Sequence, residues 1–107
     1  DSSYGIHFSI NTPTSYFIFG DMNKNEAYQS SDVKVNDISM LSGVQIDYLS
    51  AGNDLDLAFS IPDGFTYING SQSTTSTTIR VKRIGTSCST AICKQVIIRN
   101  TGQISIQ

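Results

Sequence analysis

The chain has 107 residues, of which 38% are hydrophobic and 15% charged, and a formal net charge of -2. That length fits one domain with a modest core, and the near-neutral charge argues against a dedicated nucleic-acid binder. No apolar run approaches the roughly 20 residues that cross a bilayer as a helix, and no secretion signal is visible.

No window of about 11 residues keeps a 3.6-residue period, so helices are not expected. Short runs rich in Val, Ile, Tyr, Phe and Thr recur between Gly, Asn, Asp and Ser, which predicts a mostly β domain of antiparallel sheets. The first strand is expected over 4–10 and the second over 15–19. His7 lies in the first, beside Phe8, and reads as a surface or half-buried strand residue rather than a general base. Strands follow over 35–41 and 44–49. In the latter, Val44, Ile46 and Tyr48 alternate with Gln45, Asp47 and Leu49, as in a sheet with one buried face. Ala51-Gly52-Asn53-Asp54 should close a hairpin onto a strand over 55–61, where Leu55, Leu57 and Phe59 alternate with Asp56, Ala58 and Ser60. Asp54 and Asp56 share a face, as a glycosidase pair might, but at a loop edge they read as solvated.

Pro62-Asp63-Gly64 is a turn, with Pro fixing φ and Gly free to take a positive φ. A strand over 65–68 precedes Asn69-Gly70 and a Ser/Thr-rich loop over 71–76. Asn69-Gly70-Ser71 matches the N-glycan acceptor pattern, a short and common motif. A strand over 77–84 places Ile79 and Val81 opposite Arg80 and Lys82. Strands over 94–99 and 103–107 flank the turn Asn100-Thr101-Gly102, and Ile104 and Ile106 share one face of the last. Tyr16, Tyr28, Tyr48 and Tyr67 read as core or rim.

The stretch from Gly20 to Asp32 is rich in side-chain oxygens. Set against a twelve-position calcium loop, Asp21 falls at position 1, Asn23 at 3 and Asn25 at 5. Ala27 at 7 would offer its backbone carbonyl, Gln29 sits at 9 and Asp32 at 12. Glu26 stands where Gly usually makes the sharp turn, and Asp at 12 reaches less well than Glu. Two readings stay open: a structural calcium brace, and a solvated turn whose side chains bond their own backbone.

Cys88 and Cys93 are the two cysteines, with four residues between them. With His7 the single histidine, a zinc set lacks ligands. The spacing is not that of a C-x-x-C redox motif. A local disulfide holding a hairpin tip is the simplest reading, and it implies an oxidising compartment. Arg80, Lys82, Arg83, Lys94 and Arg99 hold five of the seven basic residues. If the cysteine tip joins two antiparallel strands, they gather on one hairpin, either as an exposed face that deters edge pairing or as a positive patch for DNA, polysaccharide or an acidic neighbour in a filament. No hydrolase elbow, phosphate loop or dinucleotide fingerprint occurs, so an enzyme is not expected.

The C-terminal pattern resembles a known one. The strand from Ile79 to Ile84, then Lys94 to Arg99, Asn100-Thr101-Gly102 and a closing strand ending at Gln107, is similar to the end of type IV pilins and type II secretion pseudopilins, the H-type pseudopilin-like group especially. Ser3-Tyr4-Gly5-Ile6-His7-Phe8 resembles the strand that follows the long N-terminal helix in that group. Ser15 to Asp21 resembles the segment leading into its Asp/Asn-rich loop. Val35 to Ser42 with Gly43-Val44-Gln45-Ile46 resembles a further element, with Leu41-Ser42 in place of Leu-Pro.

The resemblance implies a pilin-like globular head of a filament subunit. Its partners would be other pilin subunits, and its membrane contact would run only through an apolar helix preceding Asp1. It would act in assembly, secretion or adhesion to a glycan or host surface, at the cell surface or on the periplasmic side of the inner membrane. The leader and apolar helix that identify the family are not in this sequence. The alternative is a secreted, calcium-stabilised carbohydrate-binding or adhesin-type β-sandwich module.

Overall fold

An alternating strand needs a second apolar surface to cover its inner face, and the chain supplies it by building two sheets. The computed structural model describes residues 3–21, 27–59, 65–88 and 93–107. The strands among them are β1 (Ser3–Ser9), β2 (Ser15–Asp21), β3 (Val33–Ser39), β4 (Val44–Leu49), β5 (Asp54–Phe59), β6 (Thr66–Ile68), β7 (Ser76–Arg83), β8 (Lys94–Arg99) and β9 (Ile104–Ile106). Each predicted strand is present, displaced by no more than two residues at either end, and the last two residues of the predicted strand over 55–61 lie outside the described residues. No helix occurs among the described residues. The predicted Pro62-Asp63-Gly64 turn lies outside them.

One sheet has the order β3-β2-β1-β5-β6 and the other β4-β7-β8-β9. All strand pairs are antiparallel. The core lies between the sheets. Leu55, Leu57 and Ile68 enter it from the first, and Ile46, Leu49, Ile79 and Ile98 from the second. Burying each such side chain contributes about 1.5–3 kcal/mol.

Two sequence expectations are corrected. Residues 50–53 do not close a hairpin: β4 pairs with β7, whereas β5 pairs with β1 and β6. The turn therefore carries the chain from one sheet to the other, helped by Gly52 at a φ of 121°. Tyr48 also fails to face the core. The β4–β7 register shifts between Ile46 and Tyr48, a bulge centred on Asp47. An extra residue lets Ile46 and Leu49 both point inward while Asp47 and Tyr48 both meet Arg80 outside.

Thr66 is fully buried, and its Oγ1 has no hydrogen-bond partner among the described residues. A buried unpaired hydroxyl costs roughly 1–3 kcal/mol. Thr66→Val keeps the shape and removes that cost. It is expected to raise the unfolding free energy by about 1 kcal/mol in a urea titration; a loss of stability would reveal a partner for the hydroxyl.

Candidate functional site

The two sheets leave a gap along the inner faces of β1, β5, β7, β8 and β9, bounded by Tyr16 and Met40 beside the end of β1. Leu57, Ile79 and Ile98 are buried, but along the same inner faces Phe59 is 39% exposed, Ile104 62% and Ile106 72%. The gap is an apolar groove of about 330 Å³, lined by Ile6, Phe8, Leu57, Val81, Val96 and Ile104 among others. Tyr4, which shares the inner face of β1 with Ile6 and Phe8, is exposed. This apolar groove is the candidate site of the domain.

The outer face of the five-stranded sheet carries a second, smaller cluster. Gly5, His7, Phe17, Phe19, Asp56 and Ala58 project there, opposite the groove residues of the same strands. Tyr28 covers them: its ring lies 4.8 Å from Phe17, 5.4 Å from Phe19 and 5.5 Å from His7. Phe19 and Ala58 are thereby fully buried. Tyr28 meets the Phe17 and Phe19 rings edge-on, at 74° and 67°.

The chain after β2 thus folds back over its own sheet. Asp21 and Asp32, the first and last positions of the predicted calcium loop, are 1% and 7% exposed. Ala27 is half-buried and Gln29 exposed, while Asn23 and Asn25 lie outside the described residues. Asp32 Oδ2 accepts a hydrogen bond from Gln29 N–H at 2.8 Å, and Asp32 N–H donates to Gln29 O at 2.9 Å. The second of these bonds closes a turn and the first braces it with a side chain, as Asp commonly does.

The basic residues divide. Arg80 Nε donates to Asp47 Oδ2 at 2.7 Å and stands over the Tyr48 ring. Lys82 Nζ lies 3.6 Å from Asp47 Oδ1 and donates to Thr86 O. Arg83, Lys94 and Arg99 are exposed. Strands β7 and β8 are interior to their sheet, so these charges do not guard an edge. Asp47 offsets two of the five and breaks the patch.

Cys88 and Cys93 form the expected disulfide, with Cα atoms 5.3 Å apart. Their sulfurs and an Asp47 carboxylate oxygen lie within 4.8 Å of one another. The sulfurs are bonded to each other and Asp47 is paired with Arg80 and Lys82, so the oxidised protein offers no thiolate ligands there.

His7 is the residue whose partners the sequence does not announce. Its Nδ1 lies 2.5 Å from Asp56 Oδ1 and its Nε2 3.5 Å from Asp54 Oδ1. Asp56 is therefore not a solvated carboxylate: its side chain is 13% exposed. The two residues are 49 apart in the chain, and only the β1–β5 register, which sets His7 opposite Asp56, brings them together. Comparison of the chain with family models, with curated proteins and with solved structures finds no match.

Proposed function

We propose that this domain is the globular head of a type IV pilin-like subunit of a pilus or a secretion pseudopilus. Its work is assembly and surface contact, with no chemistry on a substrate. The observation that carries this reading is the apolar groove that runs along the inner face of β1, the first strand, at Ile6 and Phe8. In the proposed subunit a long apolar helix precedes β1 and seats one stripe of its surface in that groove. The helix anchors the head in the membrane before assembly and joins neighbouring subunits afterwards. The disulfide fits the oxidising side of the membrane where such filaments stand.

Ile104 tests the reading because it lines the groove yet is already exposed in the free domain. Ile104→Asp is expected to change stability by no more than about 0.5 kcal/mol. With a helix seated over it, however, the carboxylate would be buried without a partner. Incorporation of the full-length variant into filaments should fall to background. Normal incorporation alongside an unchanged melting curve would sink the proposal. So would a native upstream sequence made of a cleavable secretion signal with no lasting apolar helix; that result favours a secreted binding module with affinity for glycans.

We further propose that calcium braces the segment from Asp21 to Asp32 as a structural ion. Extracellular calcium modules work at about 10⁻⁴–10⁻³ M, so millimolar calcium should raise the melting temperature of the wild type and leave that of Asp21→Ala unmoved. Identical melting curves in calcium and in chelator would leave a lid held by hydrogen bonds and packing.

A further inference from the structure

We propose that His7 Nε2 and the Asp54 carboxylate form a surface site for a divalent transition ion such as Zn2+, with Asp56 orienting the histidine. The site lies on the outer face of the five-stranded sheet, away from the groove, and stands independently of the filament reading.

The tautomer comes first. Asp56 faces His7 across the β1–β5 pair, with Oδ1 at 2.5 Å from Nδ1. An ionised carboxylate has no proton to give, so Nδ1–H is the donor. The ring is held in its plane by stacking on Phe17, with centroids 4.8 Å apart and planes 25° from parallel. Nε2 is then turned toward Asp54 Oδ1, 3.5 Å away. In a neutral imidazole with a proton on Nδ1, Nε2 is an acceptor, and so is the carboxylate. Two acceptors facing each other are reconciled by a metal ion between them, or by a second proton on the ring.

The spacing suits a metal ion. Two ligands about 2.0–2.2 Å from a tetrahedral zinc stand roughly 3.3–3.6 Å apart. A histidine that ligates through one nitrogen and donates its other N–H to a carboxylate is the usual way a metal-binding imidazole is fixed and made more basic. The backbone beneath is also held. Asn69 Oδ1 accepts Asp56 N–H at 2.7 Å, and Asn69 Nδ2 donates to Asp54 O at 3.3 Å. Asn69 thus steadies both ends of the Asp54–Asp56 segment. The Asp54 side chain is 58% exposed, so the ion enters from solvent and water fills its remaining positions, while the His7 side chain is 16% exposed. With two protein ligands the site is weaker than a closed structural zinc site and exchanges its ion with solution.

The competitor is a proton. A doubly protonated His7 between two carboxylates would satisfy the same geometry without metal. Titration of the protein with Zn2+ alone, near neutral pH, separates the two when read by long-range proton–nitrogen spectra of the imidazole. The expected result is a saturable change at Nε2 in submillimolar to millimolar zinc, with the proton kept on Nδ1. Asp54→Asn should weaken binding at least about ten-fold, and Asp56→Asn by about 10- to 100-fold as an orienting carboxylate does. Asp54 is exposed, so its variant should stay folded, and circular dichroism checks this. No saturable change at Nε2 in millimolar zinc would overturn the site. Equal zinc binding by Asp54→Asn and the wild type would overturn it, as would an Nε2 that stays protonated with zinc present.

Discussion

Phe19→Ala is expected to lower the unfolding free energy by about 3–5 kcal/mol, the usual cost of deleting a buried aromatic ring. Phe19 does not belong to the core between the sheets. It points to the outer face of the five-stranded sheet, where Tyr28 covers it and its exposure is 0%. The cost depends on whether the lid can collapse into the space that is left. Tyr28 also packs on Phe17 and His7, which holds it in place and keeps the cavity open. A domain of this size has roughly 5–15 kcal/mol in total, so the variant should unfold at much lower urea. A loss below about 1 kcal/mol would mean that the lid is not packed on the sheet.

Gly5→Ala should be nearly as damaging, although it adds only one methyl group. A Cβ at Gly5 would lie 2.7 Å from Phe19 Cε1 and 2.8 Å from the Leu57 carbonyl oxygen, with Phe19 Cζ closer still. The ring packs on Tyr28, so moving it disturbs that contact, and the carbonyl belongs to the neighbouring strand β5. Overpacking of this kind typically costs about 1–3 kcal/mol and occasionally more. The two substitutions should not add. Removing the Phe19 ring relieves part of the clash at Gly5, while the Leu57 oxygen remains. A double-mutant cycle should therefore show a favourable interaction energy of about 0.5–3 kcal/mol, and strict additivity would place the Phe19 ring away from Gly5.

These two positions give the segment of residues 27–32 its role. It follows a strand whose outer face carries Phe17 and Phe19, and an exposed apolar face on a sheet needs a cover. The return of residues 27–32 across that face provides one. Asp32 turns the chain through its bond with Gln29, and Tyr28 supplies the packing. A calcium ion, as proposed, would brace a lid whose packing already joins it to the sheet.

Much of the fold is legible in the residues taken alone. The alternation of Ile79 and Val81 with Arg80 and Lys82 places the first pair inward and the second outward, and so they stand. Leu55 and Leu57 behave the same way. Period-two alternation is a local property: it depends on the pleat of one strand and on nothing distant. The turn chemistry at Asn100-Thr101-Gly102 is local too, and it closes the β8–β9 hairpin with Gly102 at a φ of 91°. The tight spacing of Cys88 and Cys93 made their disulfide readable without a structure.

What the tertiary structure alone decided is the company each strand keeps. Alternation states that a strand has an apolar face, and leaves open which strand lies beside it and which sheet lies opposite. Hence the turn after β4 looked like a hairpin and is a crossing between sheets. A one-residue bulge sent Tyr48 outward, because its value lies in a contact with Arg80 on another strand. The groove exists only where two inner faces diverge, and the His7–Asp56–Asp54 constellation exists only in the β1–β5 register. Such features join residues far apart in the chain, through contacts that form when whole faces meet, and no short stretch of sequence contains them.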